Sequence, residues 1–219
     1  FDREGKIIAT ADPSAITRAA LQQTISQFVG DIQQVPPVFS ALKKDGVPLY
    51  RLARQGRAVT APPRTVHISA IDLLAFEPPQ AVISVTCGAG TYIRSLVHDI
   101  GQSLGVGAHL TELERVANGQ WRIETAITLD ELADAVAAGR LADVLQPLAA
   151  AVSHLPAIRL SPAQIRAVTT GRRIAAPTPS PAPVIAALDE HGKLVAILVP
   201  ADENQLKPRK VFQTTIPSA

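Results

Sequence analysis

Residues 65–104 constrain the fold more than any other stretch. Two runs rich in β-branched and apolar residues, 65–77 and 81–87, flank Pro78-Pro79. A proline pair cannot sit inside a ladder, so the runs predict neighbouring antiparallel strands joined by a turn. Gly88-Ala89-Gly90-Thr91 then turns the chain into a segment where Ile93, Leu96, Val97, Ile100 and Leu104 recur at helical spacing before Gly105. That spacing predicts a helix with one apolar face. Strand, strand and helix bury their apolar faces together only as packed layers. The expected fold class is therefore α+β, a mixed, mostly antiparallel sheet flanked by helices.

Other segments fit that frame. Thr17 is placed to cap a helix running to Val29, with Leu21, Ile25 and Phe28 on one face and Gly30 ending it. Val35-Pro36-Pro37-Val38-Phe39-Ser40 must be extended, because each proline disfavours helix in the residue before it. A short helix is expected over 49–55, stopping at Gly56, and a strand over 108–117. Thr128 and Glu131 spell a capping box that opens an acidic helix ending at Gly139. Composition shifts near residue 150. From Leu155 the chain reads as short strands, with one helix capped by Ser161 and led by Pro162. A loop over Pro177–Pro183 precedes a hairpin of residues 184–189 and 193–199. This last piece has the size and pattern of a small β-barrel-like module. The expected domains are 1–151 and 152–219.

Composition narrows the function classes. The single cysteine, Cys87, excludes an internal disulfide framework and fits a reducing compartment. No apolar run is long enough for a membrane-spanning helix, and the opening residues do not resemble a signal peptide. The expected location is cytoplasmic. The 219 residues contain no methionine, and Asp2 to Ile8 reads as the turn and second strand of a hairpin. Both observations lead us to expect that an N-terminal part of the protein is missing from this sequence. The alternative is removal of the initiator from an ordinary N-terminus. Net charge is only +2, but residues 40–66 carry Lys43, Lys44, Arg51, Arg54, Arg57 and Arg64 against Asp45 alone. That patch suits either contact with a polyanion or a solvated basic loop.

Several chemistries fail on spacing. Gly88-Ala89-Gly90 lacks the third glycine of a dinucleotide fingerprint and follows strands expected to be antiparallel. The five histidines do not cluster, so no metal site is expected, and no nucleophile elbow is present. Two features survive. Tyr92 and Arg94 stand at the start of the helix after the glycine turn, where the dipole favours an anion. An arginine there either holds a carboxylate in a fixed orientation or bridges to a neighbouring surface aspartate. Arg51 and Arg54, three apart on one short helix, can both face a phosphate backbone.

Taken in order, these segments resemble the TruB family of tRNA pseudouridine synthases. The matching strings are Val35-Pro36-Pro37-Val38-Phe39-Ser40-Ala41-Leu42-Lys43, the Leu-Tyr…Ala-Arg-Gln-Gly run within 46–56, and Cys87-Gly88-Ala89-Gly90-Thr91-Tyr92-Ile93-Arg94-Ser95-Leu96. Asp99-Ile100-Gly101 and the run from Leu104 to Arg115 continue the match. The tail around Leu206-Lys207-Pro208-Arg209-Lys210-Val211-Phe212 looks like the PUA-type RNA-binding module of bacterial members.

The resemblance implies a pseudouridine synthase fold plus a PUA-like domain. It also implies isomerisation of uridine 55 in the tRNA T-loop, without cofactor or metal. The expected partner is the T-arm stem-loop of tRNA, bound by a monomer that needs no membrane and no obligatory protein partner. In the family the nucleophile is an aspartate in a Gly-x-Leu-Asp-type motif, which this sequence does not contain. The chain alone is therefore expected to be inactive. Arg94 matches the arginine that pairs with that aspartate. Tyr92 and Leu113 match residues lining the uracil pocket. Lys43, Arg51 and Arg54 are candidates for the tRNA backbone, Arg54 following the motif most closely, and Arg115 is a lesser one. The rival reading is a non-catalytic RNA-binding protein that kept the scaffold. A third, a nucleotide-dependent enzyme built on Gly88 and Gly90, predicts saturable dinucleotide binding.

Overall fold

A computed structural model describes residues 2, 3, 5, 7–44, 46–55, 61–176, 182–202 and 204–212. Asp45, Gly56, Arg57 and residues 177–181 of the proline-rich loop lie outside the described residues. The chain falls into two compact units, residues 1–118 and 119–219. The boundary expected at 151/152 lies within the second.

In the first unit come α1 (Arg18–Ser26), β1 (Gly30–Gln34), β2 (Lys43–Lys44), β3 (Val47–Pro48) and α2 (Leu49–Arg54). β4 (Arg64–Glu77), β5 (Gln80–Cys87), α3 (Ile93–Ser103) and β6 (Ala117–Asn118) follow. Among the described residues the main sheet is antiparallel in the order β1-β4-β5. On β4 the buried residues are Val66 and Ile68, then Ile71 and Leu73. Simple alternation would continue at 70 and 72. A bulge between Ile68 and Ala70 inserts one residue and flips the side-chain parity, keeping the apolar face on one side. Leu21 and Ile25 of α1 and Leu96 and Ile100 of α3 join that face in one core. Full burial of each such side chain contributes about 1.5–3 kcal/mol.

Thr17 caps α1 as expected, its hydroxyl accepting from the Ala20 N–H at 3.1 Å. The helix ends at Ser26 rather than Val29, because Gly30 with φ of 104° starts a strand and the chain needs the intervening residues to turn. That strand, β1, was not anticipated. Its burial alternates but only Gln34 is fully inside, so no apolar period marks it. The strand expected over 108–117 is absent apart from β6. Residues 111–116 are all exposed and no described residue supplies them a ladder. The strand expected through Ile7 and Ile8 is absent for the same reason, the two being 84% and 95% exposed.

The second unit holds β7 (Trp121–Arg122), α4 (Leu129–Ala137), α5 (Leu141–Val144), β8 (Ala157–Arg159) and α6 (Pro162–Thr169). β9 (Ile174–Ala175), β10 (Ile185–Leu188), β11 (Leu194–Ala201) and β12 (Gln205–Val211) complete it. The expected capping box forms at Thr128/Glu131, and Ser161, expected as a cap, forms a second box with Gln164. Five strands make a mixed sheet in the order β8-β10-β11-β12-β9, with β8 parallel to β10 and the other pairs antiparallel. Ile165 and Val168 of α6 pack on Ile185, Val195, Leu198 and Leu206 of that sheet. Among the described residues no helix is long and apolar enough to cross a membrane.

Candidate active site

The glycine turn after β5 sets the site. Gly90 has φ of 89°, a conformation that side chains rarely adopt, and Thr91 Oγ1 donates to the Gly88 carbonyl at 3.0 Å. β4 and β5 before it are antiparallel, so the parallel strand–helix unit of a dinucleotide site is not formed. Tyr92 is the N-cap of α3 with extended φ and ψ of −100° and 105°, and makes no side-chain cap bond. Arg94 therefore lies in the first turn.

Arg94 is held at both ends of its guanidinium. Nη1 donates to Asp2 Oδ2 at 3.0 Å and Nη2 to the Phe39 carbonyl at 2.9 Å. The two charged side chains are 29% and 33% exposed, so the pair is partly shielded. The carboxylate that Arg94 meets among the described residues is that of Asp2. The aspartate is docked rather than loose: Asp2 pairs with Leu110 in an isolated parallel bridge, and the Arg3 N–H donates to the Leu110 carbonyl at 3.1 Å. Asp2, Arg3, Arg94, Leu110, Thr111, Glu112 and Leu113 line a cavity of about 480 Å³.

Leu113 thus shares a cavity with Arg94, on an exposed wall (63%). Tyr92 is half-buried and is not among the lining residues; the Arg64 guanidinium sits over its ring, 5.8 Å from the centroid. Lys43 and Arg64 line a second cavity of about 380 Å³ with Leu42, Leu49 and the prolines 62 and 63. Arg51 and Arg54 are exposed on α2, whose Leu49 and Leu52 face a small apolar cluster. Arg54 also lies over the Tyr50 ring at 5.8 Å. Arg115 is exposed in the irregular stretch beyond Leu113.

Asp2 and Gln34 were missed. Asp2 had no sequence signal beyond its place in a turn; Gln34 had one, a polar residue two places before the proline pair. Asp99, on α3, has its carboxyl pushed above the ordinary 3.8 by burial, partly offset by the charge of His98. Among the described residues no three His, Cys, Asp or Glu side chains stand together as a metal site.

The profile of the TruB family pseudouridylate synthase N-terminal domain matches residues 1–93, and that of the tRNA pseudouridylate synthase B C-terminal domain matches 94–153. Their junction falls at Ile93, between Tyr92 and Arg94. The tRNA pseudouridine synthase B of Thiobacillus denitrificans is 41% identical over 216 residues, covering 97% of this chain and 70% of that protein. That of Pseudomonas aeruginosa is 39% identical, with 97% and 71% covered. Among solved structures, a chain of a Cbf5-Nop10-Gar1 complex superposes with a TM-score of 0.70 at 27% identity. The match covers 93% of this chain and spans 64% of that one. A structure of an H/ACA RNP bound to a substrate RNA containing 2′-deoxyuridine gives a TM-score of 0.69 at the same 27% identity. Identity near 40% across almost the whole chain, with two adjoining family profiles and the synthase fold beneath them, places this chain in the TruB family of tRNA pseudouridine synthases.

Proposed function

We propose that the protein isomerises uridine 55 of the tRNA T-loop to pseudouridine. The observation that carries this reading is Arg94, fixed by Asp2 and Phe39 in a cavity it shares with Leu113. In the reaction the N1–C1′ bond breaks, the base turns, C5 bonds to C1′, the C5 proton leaves to water and N1 takes up a proton from water. That chemistry requires a flipped-out base and a carboxylate nucleophile. A buried carboxylate without a partner would take up a proton; a guanidinium beside it keeps it ionised. With one donor on Asp2 and one on Phe39, Arg94 still has N–H groups for a second carboxylate. Tyr92 contacts the base and Leu113 walls it from water.

None of the 219 residues spells Gly-x-Leu-Asp, so this reading assigns the nucleophile to a segment outside them and makes the chain inactive by itself. Lys43, Arg51, Arg54 and Arg115 hold the T-arm backbone. Residues 152–219 form a PUA-like RNA-binding domain, supported by the exposed Lys207, Arg209 and Lys210 on β12. The protein works as a cytoplasmic monomer, without cofactor.

Tritium release from tRNA labelled at C5 of uridine tests the reading. Release at the T-loop position by the gene product extended upstream, and none by the 219-residue chain, is expected. Release by the chain alone would refute the outside nucleophile. An extended product that binds tRNA but releases nothing would establish the RNA-binding scaffold instead.

A further inference from the structure

Gln34 is the last residue of β1 and is fully buried, with 0% exposure. A buried amide is costly unless its donors and acceptor are used. Gln34 uses both ends on one residue: Oε1 accepts from the Tyr92 N–H at 2.7 Å, and Nε2 donates to the Tyr92 carbonyl at 3.1 Å. The side chain thus acts as a peptide group of a neighbouring strand, docking Tyr92 onto the end of β1. The next residues repeat the junction, Ser95 Oγ donating to the Val35 carbonyl at 2.8 Å from a fully buried position. The residue opposite Gln34 in the β1–β4 register is Arg64. Its guanidinium covers the Tyr92 ring, and its Nη1 lies 3.6 Å from where a side chain at Gly90 would begin. One cross-strand pair therefore fixes both the backbone and the ring of Tyr92.

We propose that Gln34, seconded by Arg64, is a positioning residue for the isomerisation: it sets Tyr92, and through the start of α3 Arg94, in register with the base. The inference rests on the reading of Tyr92 as the base-contacting residue. Nothing in the register or burial of Gln34 requires an amide for packing alone; a leucine has nearly the same volume. What an amide adds is control of both backbone polar groups of Tyr92, two residues before Arg94. An ångström of misplacement at such a point costs on the order of 100-fold in rate.

The test uses Gln34→Leu, Gln34→Glu and Arg64→Ala. The sequence has only two tyrosines, Tyr50 and Tyr92, so ¹³C-tyrosine spectra of the 219-residue chain give an internal control. Gln34→Leu and Arg64→Ala should move the Tyr92 ring signal and leave that of Tyr50 unchanged. In the form that turns over, Gln34→Leu should lower the single-turnover rate about tenfold or more while tRNA Kd stays within about threefold. Gln34→Glu guards against a folding artefact. Its buried carboxyl, when protonated, both accepts from and donates to Tyr92 as the amide does; ionised, it repels the Tyr92 carbonyl. Activity of this variant relative to wild type should therefore fall as pH rises; read at temperatures well below the variant's melting point at each pH, that fall reports positioning and not unfolding. An unmoved Tyr92 signal would overturn the clamp. A moved signal with wild-type turnover, or a flat relative pH profile, would overturn its role in the reaction. A wild type that never releases tritium removes the functional reading and the reaction role with it, while the Tyr92 signal still decides the clamp.

Discussion

Gly101→Ala addresses how the cavity wall is held. Gly101 is buried in α3, where the chain doubles back: the Val106 and Gly107 N–H groups donate to its carbonyl at 3.3 and 2.9 Å. A Cβ at this position would fall 2.2 Å from Ala108 N, 2.4 Å from the Gly107 carbonyl carbon and 2.5 Å from Ala108 Cβ. Non-bonded heavy atoms settle at about 3.5 Å, so the returning loop must retreat by roughly 1 Å. The two nearest obstacles are backbone, so no rotamer change relieves them. Overpacking of this kind costs about 1–3 kcal/mol, and loss of one of the two turn bonds about 1 kcal/mol. Alanine's better helix propensity returns about 1 kcal/mol. The balance is a destabilisation of about 2 kcal/mol, read as a lower urea midpoint at unchanged slope. Because Leu110 to Leu113 follow directly from the displaced loop, the cavity beside Arg94 should distort as well, and turnover should fall further than tRNA binding. A variant as stable as wild type, or more stable, would show that the close approach is not real and that propensity alone governs the position.

Four further outcomes are expected. Arg94→Ala in the active form abolishes turnover while tRNA Kd stays within a few-fold; near-normal turnover removes Arg94 from the mechanism. Arg54→Ala weakens tRNA binding and lowers the slope of log K against log salt by about one, whereas an unchanged slope means it touches no phosphate. Asp99 has a folded pKa raised by burial, so its ionised form opposes folding above that pKa, and the penalty fades as pH falls toward the unfolded value. Asp99→Asn should therefore raise the melting temperature at neutral pH and lose its advantage in acid; the reverse trend would contradict the burial argument. Thr128→Ala removes the cap of α4, at about 1 kcal/mol. The Thr128 N–H and hydroxyl hold the Glu131 carboxyl below its ordinary value, so that support is complete at neutral pH and disappears as pH falls through the lowered pKa. Thermal melts of wild type and variant should draw closer in acid without meeting, because the cap bond from the Glu131 N–H to the Thr128 hydroxyl does not titrate.

The strand pair 64–77 and 80–87, the helix after the glycine turn, the capping box at Thr128, the Ser161 cap and the C-terminal hairpin were all legible, because each is written in contiguous residues. Alternation, a cap three residues from its partner or a proline-marked turn acts locally and survives whatever surrounds it. Where local signals misled, at residues 108–117 and at Ile7 and Ile8, apolar residues suggested strands that found no ladder among the described residues. A strand exists only with a neighbour, and the neighbour is not in the segment.

The same distinction runs through the site. The string around Tyr92 and Arg94 pointed to the family and to the place of the chemistry without any coordinates. What Arg94 holds was decided by folding. Asp2 lies 92 positions away in sequence, and Gln34 lies 58 positions from the tyrosine it clamps. Ion pairs and buried amide bonds form between groups that the core brings within 3 Å or so, whatever their separation along the chain. The apolar pattern of α3 determined which of its faces turns inward. Only the packing of that face on β4, with β1 closing beside it, determined that one glutamine's two ends would meet the N–H and carbonyl of one tyrosine.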